Sequence, residues 1–182
     1  MPTTEVLRPY ISRRRIQSAV RRMARDIERD YAELVGRQPG QELVLVGTLK
    51  GAFVFLADLM RELTLPVVVN FLQLASYEGM TRSGKVRCIL EPSLDLRGRH
   101  VLAVEDIVDT GLTAQRLMER LGRREPASLA LCALLDKPER RRVEAPIRCT
   151  GFKIADVFVV GYGLDYAERY RNLPDIRALE QA

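Results

Sequence analysis

The sequence predicts an α/β fold: a mainly parallel central sheet flanked by helices. Short apolar runs alternate with helix-patterned stretches, at a spacing that suits strand–helix–strand units. The runs are also apolar at successive positions, as expected of strands buried on both faces. At 182 residues, with no internal repeat or linker, the chain is expected to be a single domain spanning 1–182.

Each element has its own signal. From Ser12 to Val35, apolar Ile16, Val20, Met23, Ile27, Tyr31 and Leu34 recur every three or four residues between charges. That is an amphipathic helix over 12–35, stopped by Gly36 and Pro39-Gly40. Glu42 to Gly47 (ELVLVG) reads as a buried strand, Ala52 to Leu63 as a helix, and β-branched Pro66 to Leu74 as a strand. The polar, glycine-bearing stretch SYEGMTRSGK predicts an exposed loop over about 75–86, and Val86 to Leu90 is a weaker strand. Strand Arg99 to Val104, helix Ala114 to Leu121, and apolar runs Ser128 to Leu135 and Val157 to Val160 complete the pattern.

Composition narrows the function. A hydrophobic share of 47% and a charged share of 29% are those of a soluble globular protein. No apolar run approaches a membrane span, and MPTTEVLRPYISRRR has no apolar signal core, so neither membrane nor export is expected. Cys88, Cys132 and Cys149 lack metal-site spacing, and His100 is the sole histidine, which argues against a Cys/His metal centre and for a reducing, cytoplasmic setting.

The net charge of +5 and pI near 9.4 raise the question of nucleic acid. Arginine clusters at 13–15, 21–22, 123–124 and 140–142 could form a phosphate-binding face. There is no Trp and no aromatic interleaving for base stacking, so nucleic acid is not the expected partner. A phosphate-rich small substrate suits a basic protein equally well.

In parallel sheets, ligands bind beyond the carboxyl ends of the strands. The loops after Val46, Val104, Leu135 and Val160 should therefore share one edge, bringing together LKG, EDIVDTGLT, DKPERR and GYGLDY. At Asp109-Thr110-Gly111-Leu112-Thr113, backbone N–H groups at a helix start and two hydroxyls make an anion cradle. Glu105 and Asp106 would repel a bare phosphate, but they suit sugar hydroxyls or a magnesium ion held beside phosphates. Cradle plus acids implies a phosphorylated sugar with metal. GTLKG lacks the P-loop spacing and no GxGxxG follows a strand, which disfavours P-loop and Rossmann enzymes.

VLAVEDIVDTGLT resembles the phosphoribosyl-pyrophosphate signature of purine phosphoribosyltransferases, most of all the hypoxanthine-guanine type. Leu49-Lys50-Gly51, the Lys137 loop and VFVVGYGLDYAERYRNLP follow the same family in order, so the likeness runs from about Val44 to Pro174. It implies the type I phosphoribosyltransferase fold with a small hood and a flexible lid loop. The implied reaction joins a purine base to phosphoribosyl pyrophosphate, giving a nucleotide and pyrophosphate.

The likeness also implies roles. Glu105 and Asp106 would contact the ribose hydroxyls and help hold Mg2+, Thr110, Gly111, Leu112 and Thr113 the 5′-phosphate, and Asp109 would be the acid/base at purine N7. Lys137 would donate to the 6-oxo group, Phe158 would stack on the base and the Val159 backbone would meet its edge. Asp165 would face metal and base, and Arg171 would reach the pyrophosphate with Leu49, Lys50 and Gly51, whose loop is expected to carry a cis peptide at Leu49–Lys50. Ser76 and Tyr77 would begin the lid.

A homodimer or homotetramer is implied by the same likeness. Asp109 with Lys137 points to hypoxanthine or guanine, leaving the xanthine-guanine branch as an alternative. An RNA-binding regulator on this fold is the non-enzyme alternative; such regulators usually have Tyr where Asp109 stands.

Overall fold

Residues 5–36, 41–76 and 86–181 are described by a computed structural model. The first elements are β1 (Glu5–Ile11), α1 (Arg13–Tyr31), β2 (Leu43–Leu49), α2 (Phe53–Glu62), β3 (Val67–Ser76) and β4 (Val86–Leu90). Then come β5 (His100–Val108), α3 (Leu112–Gly122), β6 (Ser128–Asp136), β7 (Ile147–Lys153), β8 (Val159–Val160) and β9 (Ile176–Gln181). A 3-10 turn at Pro138–Arg140 links β6 to β7. The central sheet has six strands in the order β4-β3-β2-β5-β6-β7, and β1-β9-β8 form a small second sheet, the hood. Pairings in the central sheet are parallel except that of β3 with β4.

Strand periodicity explains the continuous apolar runs. Successive side chains point to opposite faces. Leu43 and Leu45 of β2 pack with Ile16, Val20, Met23 and Ile27 of α1 and with Phe55, Leu56 and Leu59 of α2. Val44 and Val46 pack on the other face with Ala114, Leu117 and Leu121 of α3. Each such buried Leu or Ile contributes about 1.5–3 kcal/mol, and β2 and β5, where the site is built, are covered on both faces.

The amphipathic helix starts as the sequence indicates, with the Ser12 hydroxyl accepting from the Arg15 N–H at 3.5 Å. It stops at Tyr31 rather than at Val35. The N–H groups of Leu34 and Val35 both turn back to the Tyr31 carbonyl, at 2.9 and 3.1 Å, so the apolar spacing continues into a turn.

Three strands, β1, β7 and β9, have no counterpart in the expectations. β1 is punctuated by Pro9 and irregular in register between Pro9 and Ile11, while β7 alternates buried and partly exposed residues at the sheet edge. β9 (IRALEQ) mixes charged and apolar residues. None makes the continuous apolar run that a doubly covered strand does.

Two expectations are corrected. The Val157–Val160 run is a strand only at Val159 and Val160, and it pairs antiparallel with β9 in the hood instead of joining the central sheet. The strand predicted to end at Val104 continues to Val108, so Glu105 and Asp106 lie within it rather than in a loop. Its neighbours supply the reason. Pairing with β2 stops at Gly47 opposite Val104, whereas pairing with β6 runs on to Val108 opposite Asp136. Past Val104, β5 is held from one side only, and its acids border the gap. The predicted lid falls largely outside the described residues, Tyr77 included; Ser76 ends β3 opposite Val86.

Candidate active site

The gap beside β5 is a cleft of about 310 Å³ lined by Thr48, Leu49, Gly51, Glu105, Asp106, the 107–111 segment and Thr113. Thr48 closes its floor by donating to the Val104 carbonyl at 2.9 Å. Glu105 is buried, and its Oε1 is shut off from solvent without a hydrogen-bond partner. Asp106 Oδ1 accepts from the Ile107 N–H at 2.9 Å.

Burial pushes the Glu105 carboxyl well above its ordinary range, and the adjacent Asp106 charge pushes it further. Burial raises Asp106 too, against the pull of its backbone donors and of Arg171. Paired acids that resist ionising, one with an unpartnered buried oxygen, are donors for a cation.

Gly51 is needed where the β2 loop crosses this pair. A Cβ there would overlap the Asp106 carboxylate outright. From the other side Gly163, with φ of +99°, presses on the Gly51 carbonyl. The Leu49–Lys50 peptide in this loop is cis.

The phosphate cradle lies at the start of α3. Gly111 caps the helix at φ 85°, with no side-chain cap of its own, leaving the first-turn N–H groups beyond that of Leu112 to outside acceptors. The close approach that excludes a side chain at Gly111 comes from the Val143 carbonyl, 2.5 Å from an added Cβ. Gly111 thus shapes the loop against its own neighbour. Leu112 is largely exposed, and its N–H reaches the Thr110 hydroxyl at 3.5 Å.

Asp109 precedes this cradle and faces the loop after β6. Its Oδ1 lies 2.8 Å from Arg140 Nε. Arg140 Nη1 donates to both oxygens of Asp156 at 3.1 and 3.2 Å, and Lys137 Nζ stands 3.5 Å from Asp156 Oδ1. Lys137 is buried, with its N–H on the Val108 carbonyl at 2.9 Å. Asp109 and Lys137, 28 positions apart by subtraction of their numbers, are thereby joined through two intervening charged groups.

The hood supplies the remaining groups. Phe158 is 51% exposed and stands edge-to-face with Tyr166, ring centroids 5.7 Å apart. Val159 is buried and paired with Ala178. Arg171 donates to the Gly163 carbonyl at 2.8 Å and pairs with Asp165 at 2.8 Å, while Asp165 also accepts from the Glu168 N–H. Among the described residues, no three of His, Cys, Asp and Glu cluster tightly enough to enclose a metal, so Asp165 does not join Glu105 and Asp106 in a closed cage. An open pair suits Mg2+, which keeps waters and substrate phosphate oxygens among its ligands.

Sequence reasoning missed Glu168, which takes Lys50 Nζ at 2.9 Å and Arg171 at 3.4 Å, and so ties the two expected pyrophosphate cations together. It also missed Asp156, and read Arg140 only as one of a basic cluster. The other clustered arginines scatter: Arg124 pairs with Glu91, Arg141 with Asp136, and Arg22 caps carbonyls of β7. A larger groove of about 590 Å³ runs between α1, α2 and the 171–174 segment, touching Arg171, but it contains neither the acid pair nor the cradle.

A parallel sheet with acids at a strand end, a phosphate cradle after it and a small hood is the architecture of a phosphoribosyltransferase. The family model of the phosphoribosyl transferase domain matches residues 12–167, and the chain belongs to that family. It is 46% identical over 173 residues to a hypoxanthine phosphoribosyltransferase of Salmonella typhimurium, covering 94% of this chain and 93% of that one. A hypoxanthine-guanine phosphoribosyltransferase of Aquifex aeolicus is 42% identical over 91% of this chain and 90% of its own. Among solved structures, a hypoxanthine phosphoribosyltransferase of Trypanosoma cruzi superposes with a TM-score of 0.90 at 41% identity, over 95% of this chain and 91% of that one. A Bacillus anthracis hypoxanthine-guanine enzyme gives 0.86 at 39% identity, over 97% and 99%. No helix among the described residues is long and apolar enough to cross a membrane.

Proposed function

We propose that this chain transfers the 5-phosphoribosyl group from phosphoribosyl pyrophosphate to hypoxanthine or guanine, giving IMP or GMP and pyrophosphate in purine salvage. The relatives named for that activity span nearly the whole chain. The observation that carries the reading is one sheet edge holding the acid pair, the anion cradle, and Asp109 linked to Lys137. The chain acts as a single domain, in the cytoplasm, as a homodimer or homotetramer.

The chemistry assigns work to each group. Breaking the anomeric C–O bond develops positive charge on the ribose ring and negative charge on the departing pyrophosphate. Glu105 and Asp106 accept from the ribose hydroxyls, and the positive charge that develops on the ring favours ionisation of the pair. The N–H groups and hydroxyls of Thr110 to Thr113 hold the 5′-phosphate. Asp109 accepts the proton carried on N7 as N9, unprotonated in that tautomer, attacks the anomeric carbon and pyrophosphate departs.

Lys137 donates to the 6-oxo group, Phe158 stacks on the ring, and the Val159 backbone meets the base edge. Lys50 and Arg171 turn to the leaving pyrophosphate, a planar fork in the case of Arg171. When bound, Mg2+ supplies charge neutralisation at the pyrophosphate, with Glu105, Asp106 and Asp165 as the residues to hold it directly or through water.

The test is to incubate the protein with magnesium, phosphoribosyl pyrophosphate and, separately, hypoxanthine, guanine, xanthine, adenine or uracil. IMP and GMP are the expected products. Folded protein that makes neither would overturn the reading; XMP as the main product would move it to the xanthine-guanine branch.

A further inference from the structure

Asp109 Oδ1 is sealed from solvent, yet the side chain as a whole is 37% exposed. The sealed oxygen makes no hydrogen bond but forms an ion pair with Arg140 Nε at 2.8 Å, so access to the carboxylate runs through Oδ2. Arg140 simultaneously grips Asp156 through Nη1 at 3.1 and 3.2 Å, and Asp156 carries Lys137 Nζ at 3.5 Å. The turn that bears Arg140 is itself anchored: the Arg140 N–H returns to the Lys137 carbonyl at 3.2 Å, and Arg141 pairs with the buried Asp136.

We propose that Arg140 is a positioning residue for purine recognition. It occupies Oδ1 of Asp109 so that Oδ2 is presented to N7, and through Asp156 it sets the distance from that oxygen to the Lys137 ammonium. This rests on the reading of Asp109 and Lys137 as the two purine contacts. A planar guanidinium can meet one carboxylate with Nε and another with Nη1 in a fixed geometry; an ammonium, a point donor on a flexible stem, cannot fix two partners in that way. The spacing between N7 and the 6-oxo group is a rigid property of the purine. A ruler between the two protein groups that read them therefore acts on base use and leaves the sugar side alone.

The experiment compares the full-length wild type with Arg140→Ala, Arg140→Lys and Asp156→Asn, measuring kcat and KM for hypoxanthine and for phosphoribosyl pyrophosphate, with a thermal melt for each. Arg140→Ala is expected to lose up to about 100-fold in kcat/KM for hypoxanthine, the scale of a 1 Å misplacement, with KM for phosphoribosyl pyrophosphate unchanged. Added guanidinium ion should restore part of the loss, and Arg140→Lys should fall between Ala and wild type. Asp156→Asn should raise KM for hypoxanthine.

Wild-type kinetics in Arg140→Ala would overturn the proposal, as would equal losses for both substrates without guanidinium rescue. Should Arg140→Ala fail to fold, a folded Asp156→Asn with unchanged hypoxanthine KM overturns it. Failure of the wild type to turn over any base would instead sink the proposed function itself.

Discussion

The edge of the central sheet presents Glu105, Asp106, Asp109 and the 110–113 cradle from one strand and the turn after it, within nine consecutive residues by their numbers. The hood presents Phe158, Asp165 and Arg171 from a two-residue strand and a run of turns, steadied by β9 and, beyond it, β1. The first region is rigid because a buried parallel ladder fixes each side chain in register. In the second, Tyr162, Ala167, Glu168 and Tyr170 all have positive φ, a conformation few non-glycine residues adopt. Tertiary bonds impose it: the Gly163 N–H on the Arg171 carbonyl at 3.0 Å, and the Tyr162 N–H on that of Leu173 at 2.8 Å. The acid pair, Asp109 and the cradle are thus set by secondary structure, and the hood's Phe158, Asp165 and Arg171 by tertiary structure. Chemistry should be most sensitive to the first, grip on the substrates to the second.

The largest effect expected is that of Asp109→Asn: kcat falls by about 10²–10⁴, the usual contribution of general acid–base catalysis, while binding of phosphoribosyl pyrophosphate persists. Calorimetric loss of sugar binding with unchanged kcat would break the assignment of Asp109 to the base. Gly51→Ala comes next, because it strikes where the regions touch, between Asp106 and Gly163. A drop of about 100-fold in kcat/KM is expected from the shift it forces, and near-normal kinetics would show that the two regions move independently.

Glu105→Gln separates stability from activity. Glu105 has its folded pKa raised above the ordinary 4.5, so the folded state binds its proton more tightly than the unfolded state does. The stability this lends is fully present below about pH 4.5 and is lost as pH rises through the raised value. In magnesium-free buffer, wild-type Tm should therefore decline over that interval. Glu105→Gln should flatten the decline and raise Tm at neutral pH by about 2–4 °C per kcal/mol regained, with turnover reduced. An unchanged pH profile of Tm would refute the account of the acid pair. Smallest is Phe158→Leu, which should raise hypoxanthine KM about 2- to 10-fold for a loss of about 0.5–1.5 kcal/mol of ring contact, with Tm unmoved because Phe158 is half exposed. A large fall in Tm would make it a packing residue instead.

What could be read in the sequence follows the same division. β2, β5, β6 and the helices were legible because burial on two faces, or on one stripe, leaves a periodic apolar imprint. The acid pair and cradle were legible because they are contiguous. The continuation of β5 through Glu105 and Asp106 was not: charged residues end a strand in any pattern-based reading, and only the early departure of β2 explains their place. β1, β7 and β9 escaped because exposed faces and charged residues dilute the signal. The hood residues were named through family likeness alone, since no local pattern announces a run of positive-φ turns. The bridge from Asp109 through Arg140 and Asp156 to Lys137 joins three separate segments, and no spacing in the chain encodes it.

The pairing of β1 with β9 sets Glu5 opposite Gln181, closing a loop of nearly the whole chain. Strand–helix units of the central sheet form from neighbours in sequence, but this ladder gains nothing until everything between its strands is in place. Its amides should be the earlier ones to exchange with solvent and the later ones to become protected as the chain refolds. A protein caught short of that closure would have its phosphate cradle, its acid pair and the bridge from Asp109 to Lys137 complete, and would lack only the hood groups that close over the base. A firm hold on the base is then the last property this chain acquires and the first it loses.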